Sequence, residues 1–290
     1  MWKHALRPRA VDPGRSSAQN GEQRPRRPLP AQKTTVASLR ASTLPSTLLF
    51  ALKYVVKLLL PPACLLCGCS LNTLQRHPYL CPECARACAK QPDAACSICA
   101  EPFQSRSAIP HRCGQCTTSP PPFIWLKTIG LHAEQLQYAV QRLKYAGQFQ
   151  LAEVLALLLL DRSRTEIISF NPHTIIPVPL HPRRLRTRGF NQSLLVARYV
   201  GAELDIPVDI SHLIRTRPTS SQTKLNLAQR HENIHGAFSI NTSLAPRRIL
   251  LVDDVVTTSA TCRECAKTLT RTGHQVAAVA LSRASLQRLC

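Results

Sequence analysis

A chain of 290 residues with 44% hydrophobic content carries enough apolar material for one large domain or two modest ones. Its 37 Lys and Arg outweigh 16 Asp and Glu, a formal charge of +21 that points to nucleic acid, phosphorylated substrates or anionic lipid as partners. Thirteen cysteines could mark a secreted disulfide scaffold. Against that, no apolar signal segment opens the chain and most cysteines fall in Cys-x-x-Cys pairs, so the expected setting is reducing and cytoplasmic.

Residues 1–45 are rich in Pro, Arg and Ser, with Asp12 and Glu22 as their acids and no periodicity, which predicts a disordered basic tail. It could touch nucleic acid, serve as a transit-like segment, or reflect a mis-assigned start. Thr47 to Leu60 has helical periodicity, with Leu48, Leu52, Val55 and Leu59 on one face and Lys53 and Lys57 on another. It is too short and too charged to span a bilayer, which needs about 20 apolar residues. Docking on the body of the protein is expected over a membrane-surface role. Pro61 and Pro62 end it.

An internal repeat follows, within a predicted region of residues 46–121. Cys64, Cys67, Cys81 and Cys84 recur 32 residues later as Cys96, Cys99, Cys113 and Cys116, with 13 residues between the pairs of each set. Each Cys-x-x-Cys turn presents two sulfurs to one ion, and two turns complete a tetrahedral Zn²⁺ shell. The segment has few large apolar residues, so metal would supply the stability that a core does not. Consecutive pairs could share an ion, or the pairs could interleave. Cys69, Cys88, His77 and His111 are read as non-ligands. A site of four thiolates has no open position for water, so its expected role is structure or recognition. With both sites filled the net charge falls to roughly +17.

Residues 122–290 read as an α/β domain: a strand over Ile124 to Leu131, helices over Glu134 to Tyr145 and Leu151 to Asp161, and a strand over Ile175 to Val178. That strand runs into PVPLHPRRLRTRGFNQS, where Arg183, Arg184, Arg186 and Arg188 precede a helix starting near Asn191. Arginine forks grip phosphate well, and open α/β sheets bind ligands beyond strand carboxyl ends. The bland alternative for the group is a solvated or nucleic-acid-facing patch. A strand near Ile210 to Ile214 and a basic polar segment come next, then ILLVDDVVTTSAT, Ile249 to Thr261. Ile249 to Val252 has the make-up of a buried strand, and Asp253 and Asp254 stand where it would surface. Thr257, Thr258, Ser259 and Thr261 lead into a helix that Gly273 stops. Carboxylates that accept from sugar hydroxyls, beside N–H groups that attract phosphate, make a site for a phosphorylated sugar. The plainer alternative is a strand ending in two solvated acids. Gln275 to Leu281 is the next strand, and Cys262 and Cys265 read as buried core residues on one helix face.

The ILLVDDVVTTSAT run resembles the phosphoribosyl-pyrophosphate (PRPP) motif of type I phosphoribosyltransferases. Taken with the double cysteine repeat, LKYAG (Leu143 to Gly147), PVPLHPRRLRTRGFNQS and TSSQTKLNLAQRHENIHGAF, it resembles the ComF family over residues 47 to 290. That resemblance implies a zinc-ribbon region joined to a type I phosphoribosyltransferase-like sheet, and a link to competence, single-stranded DNA and a DNA-uptake helicase. It implies that Asp253 and Asp254 hold the ribose hydroxyls, that Thr257, Thr258, Ser259, Ala260 and Thr261 wrap the 5′-phosphate, and that Pro177, Val178 and Pro179 form the pyrophosphate loop. Arg183 and Arg188 lie close by, and a mobile closing loop would offer Thr219, Gln222, Arg230 and Asn233. Mg²⁺ would arrive with PRPP, and transfer of the phosphoribosyl group would release pyrophosphate. Ser259 departs from the family, which usually has Gly there; a Cβ restricts positive φ. Two other classes compete. A non-catalytic, single-stranded-DNA-binding accessory protein would bind more weakly as salt rises, with Tyr79, Phe103, Phe123 and Trp125 available for base stacking. A thiol redox protein is disfavoured because these pairs sit in turn-like segments rather than opening a thioredoxin-type helix. Nothing in the sequence marks the acceptor's pocket or the oligomeric state.

Overall fold

Apolar runs alternating with amphipathic stretches fold the second half of the chain into a parallel sheet between helical layers. The computed structural model describes residues 62–71, 76–92, 94–103, 111–219, 227–242, 245 and 247–285. The basic tail, the Thr47 to Leu60 stretch and Gln222 lie outside the described residues. In chain order the elements begin with α1 (Pro82–Cys88), α2 (Gly114–Thr118), β1 (Leu126–Leu131), α3 (Glu134–Tyr145) and α4 (Gln150–Phe170). Next are β2 (Thr174–Pro177), α5 (Pro182–Arg188), α6 (Gln192–Leu204), β3 (Leu213–Arg215), α7 (Leu227–Ile234) and β4 (Phe238–Ile240). β5 (Arg248–Val256), α8 (Ala260–Thr270) and β6 (Gln275–Arg283) complete them.

The main sheet has the order β1-β6-β5-β2 with every pairing parallel. A strand buried on both faces needs a continuous apolar run, and Ile249 to Val252 supplies one. Alternate residues feed two cores. On one face Ile129, Leu250 and Val252 pack with Leu143, Leu155 and Val196 of α3, α4 and α6, and with Cys64, Cys81 and Cys84. On the other, Leu126, Leu251 and Ala278 pack with Cys265 and Leu269 of α8, and with Cys96, Cys99 and Cys116. The two cysteine units therefore sit against opposite faces of one sheet.

Both sheet edges are covered, which removes exposed pairing groups. At β1, Leu126 N–H donates to the Ile98 carbonyl at 2.7 Å and the Gln91 amide donates to the Ile129 carbonyl. At β2, Ile175 N–H reaches the Pro207 carbonyl and Asp209 N–H reaches the Ile175 carbonyl, each at 2.9 Å. Gly130 permits the closest of these approaches, because a Cβ there would meet the Lys90 carbonyl oxygen at 2.5 Å.

Several elements differ from the sequence expectation. α4 runs nine residues past Asp161, since Ser163 and Ile167 are buried and nothing breaks the helix before left-handed Asn171 (φ 49°). β5 continues past Val252 because β6 runs alongside it to Arg283. The segment after Pro179, expected as a loop, holds α5: His181 Nδ1 accepts from Arg183 N–H, Pro182 stands at the first position and Gly189 (φ 81°) closes it. β3 pairs antiparallel with β4 in a separate ribbon and takes no place in the main sheet.

Candidate functional site

Two groups of side chains outside the hydrophobic residues invite chemistry. The first is the pair of cysteine clusters. The Sγ atoms of Cys64, Cys67, Cys81 and Cys84 lie within 4.8 Å of one another, as do those of Cys96, Cys99, Cys113 and Cys116. Consecutive pairs thus share a site and the interleaved arrangement is ruled out. Tetrahedral Zn–S bonds of about 2.3 Å place sulfurs about 3.8 Å apart. Cys67 to Cys81 and Cys99 to Cys113 are each 3.7 Å, so the residues fit Zn²⁺. Cys81 and Cys113 each cap the short helix that carries the next cysteine, accepting from Cys84 N–H and Cys116 N–H at 3.4 Å. The spare donors stand aside: His77 Nε2 pairs with Asp161 at 3.2 Å, His111 stacks on Phe103 at 3.9 Å and Cys88 is buried. Cys69 is exposed and lies beside Cys67 without joining the cluster of four.

The second group gathers where β5 outruns β2. Pro177 pairs with Val252, and the strand continues for four residues alongside β6. Asp253 and Asp254 fall on that overhang, inside the strand rather than past its end. Each carboxylate has its own surroundings. Asp253 is 8% exposed; its Oδ1 accepts from Asp254 N–H at 2.8 Å and lies 3.5 Å from Ser193 Oγ, while Oδ2 lies 3.7 Å from Cys262 Sγ. Burial, with Asp254 adding to it, pushes its pKa up to about 7, while Lys144 opposes the shift. Asp254 Oδ2 pairs with Lys144 Nζ at 2.9 Å, and its Oδ1 accepts from Val255 N–H at 2.6 Å.

The turn after Val256 behaves as its hydroxyl residues imply. Thr258 Oγ1 accepts from Ala260 N–H at 3.3 Å, and Ser259 O accepts from Arg263 N–H at 2.8 Å, opening α8. Ser259 adopts φ 61°, the left-handed conformation that glycine takes freely. A small crevice joins Asp253, Thr257, Ser259, Ala260, Thr261 and Cys262. Cys262 and Cys265 are buried as expected, and burial drives both thiols well above their ordinary pKa.

The turn after β2 approaches from the other side. Val178 N–H donates to the Val252 carbonyl at 2.9 Å, and Asn191 Nδ2 donates to the Val178 carbonyl at 3.1 Å, tying Pro177 to Pro179 to the start of α6. Arg188 is held over the Tyr145 ring at 5.3 Å and donates to Gln192 Oε1 at 3.0 Å. Arg183 is exposed on α5. Thr219 accepts from Arg215, and the Asn233 carbonyl accepts from Arg217 at 2.9 Å. Arg230 lies in α7, its side chain outside the described set.

Sequence reasoning passed over several residues here. Lys144, within LKYAG, faces Asp254, and His132 Nδ1 meets Ser282 Oγ at 2.8 Å beside it. Burial, then Lys144, holds the His132 pKa below its usual value. Arg215 is 8% exposed, its guanidinium over the Phe238 ring and its Nε without a hydrogen-bond partner. Arg283 is 1% exposed and donates from Nη1 to Ser259 Oγ at 2.5 Å. Charged residues inside otherwise apolar strands were the available signal for Arg215 and Arg283.

No family model matches the chain. Among curated proteins it is 35% identical over 220 residues to the DNA utilization protein YhgH of Escherichia coli O157:H7, covering 74% of this chain and 94% of that one. It is 36% identical over 171 residues to competence protein F of Haemophilus influenzae, covering 56% and 74%. To competence protein ComFC of Streptococcus pneumoniae it is 24% identical, covering 72% and 94%. Among solved structures an adenine phosphoribosyltransferase aligns at 12% identity over 49% of this chain and 72% of that one, with a TM-score of 0.30, a likeness too slight to carry an argument.

Proposed function

The chain belongs to the ComF family, with DNA utilization protein YhgH and competence protein F among its members, and from that premise we propose that it binds PRPP at the β5–α8 turn in the service of DNA uptake or utilisation. The observation that carries the reading is the placement of two acids on a strand overhang directly before a hydroxyl-rich turn that opens a helix. The positive end of α8 and the Thr257 to Thr261 turn suit a 5′-phosphate. Asp253 and Asp254 suit the ribose hydroxyls, with Lys144 setting the charge of the pair. The Pro177 to Pro179 turn, with Arg188 near it, suits the pyrophosphate end.

Mg²⁺ bound with the pyrophosphate would neutralise part of its charge, and the two carboxylates are oxygen donors of the type that ion takes. Phosphoribosyl transfer with loss of pyrophosphate is the reaction such a site would support, the acids stabilising positive charge as it develops on the ribose. The double variant Asp253→Asn, Asp254→Asn is expected to abolish calorimetric binding of PRPP. Affinity equal to that of the parent chain would remove this assignment.

A second reading has an observation of its own. Arg183 and Arg186 are exposed on α5, which buries no residue and carries no acid. A helix of that kind suits the phosphates of single-stranded DNA. Retention of labelled oligonucleotides on filters should fall steeply between 50 and 200 mM salt, by about tenfold or more; absence of retention at the lower salt would dispose of it.

A further inference from the structure

A buried guanidinium, that of Arg283, joins the phosphate turn to the second cysteine unit, and Arg263 in the first turn of α8 adds a bond to the Ser119 carbonyl at 2.9 Å. Glu101 stands two residues after Cys99, and its carbonyl accepts from Cys96 N–H at 2.8 Å, so its backbone belongs to the cysteine turn. Its carboxylate receives Arg283 Nε at 2.9 Å and also Arg283 Nη2. The third arm of that guanidinium, Nη1, donates to Ser259 Oγ. Arg283 ends β6 in register with Val256, which places it beside the turn that follows β5. A guanidinium this deeply buried is tolerated when it is paired and hydrogen-bonded, and Glu101 supplies the pairing.

Ser259 gives the arrangement its purpose. At φ 61° a residue with a Cβ is strained, and such a conformation persists only where the surroundings hold it. We propose that Arg283 is a positioning residue that holds Ser259, and with it the start of α8, in the left-handed conformation. Glu101 makes that hold depend on the second four-cysteine unit being assembled around its ion. The first four-cysteine unit, on the opposite face of the sheet, has no such connection to the turn among the described residues. Anion affinity at the turn is thereby linked to metal in one unit and not in the other. The identity of the anion rests on the PRPP reading above; the positioning does not.

The test is a double-mutant cycle on the full chain, with calorimetry of PRPP and amide exchange at residues 257–262 as readouts, and zinc content measured alongside. Glu101→Gln should weaken PRPP binding about tenfold, the scale of a lost charge-assisted hydrogen bond, and should speed exchange at the turn while zinc stays at parental level. Glycine takes positive φ unaided, so in a Ser259→Gly background the same Glu101→Gln change should alter affinity less than about twofold. Glu101→Asp, which keeps the charge on a shorter arm, should give a smaller loss and serves if the glutamine variant folds poorly. Equal losses in both backgrounds, or no loss in either, would overturn the positioning role. If the parent chain gives no heat with PRPP, the PRPP reading falls and exchange alone decides. Acceleration confined to residues 257–262 and suppressed by Ser259→Gly supports the proposal, and uniform or unchanged exchange overturns it.

Discussion

Asp253 carries a cost that the unliganded protein must absorb. Its folded-state pKa of about 7 lies above the ordinary 3.8, so the folded chain holds the proton more tightly than the unfolded chain. That contribution favours folding at low pH and is lost as pH rises from about 4 through about 7. Asp253→Asn should therefore stabilise the unliganded protein at pH 8, by about 2–4 °C in Tm for each kcal/mol released, and the gain should vanish near pH 4. Calorimetric scans at the two pH values check this; equal shifts at both would show that the carboxylate is not under strain. The two cysteine clusters, and the placement of the acids between an apolar strand and a hydroxyl-rich turn, were legible in the sequence because both lie in local spacing. Arg283 was not, since the partner that makes sense of it, Glu101, is 182 residues away. Nor was the conformation of Ser259, where the family habit of glycine pointed to a difficulty that the fold meets with a hydrogen bond.

Elements show where local pattern suffices and where neighbours decide. The apolar core of β5 was plain from four residues, yet its length was set by β6, with Val255 and Val256 paired to Ser282 and Arg283. The helical character of α3 followed from its periodicity, whereas α5 is held by a histidine cap, a proline and a glycine with no buried residue, a pattern that hydrophobic periodicity cannot reveal. Docking of the first cysteine unit on β1 depends on a bare Cα. Gly130→Ala would drive a methyl group to 2.5 Å from the Lys90 carbonyl oxygen and 3.1 Å from that of Cys88. Backbone must move to admit it, at an expected cost of about 1–3 kcal/mol, measurable by urea unfolding. An unchanged midpoint would mean that the unit does not bear on that strand in solution.

Across the molecule, the class of fold was readable from alternating strands and helices, and the order β1-β6-β5-β2 was not, because strand neighbours are chosen by layer packing rather than by local sequence. Metal analysis should find two zinc ions per chain, and a chelator should release both while lowering Tm, since binding to the native chain is what metal adds to stability. A stoichiometry of one or none would contradict the two clusters. The repeated cysteine spacing ends up clasping one β-sheet from both sides, two halves alike in their cysteines meeting dissimilar neighbours: α1 packs toward α3, which carries Lys144, while the second half reaches toward α8. The two halves have their thiolate spacing in common and differ in nearly every residue between. Swapping the two halves should preserve zinc stoichiometry yet misplace Glu101, leaving a protein that is fully metallated and badly tuned.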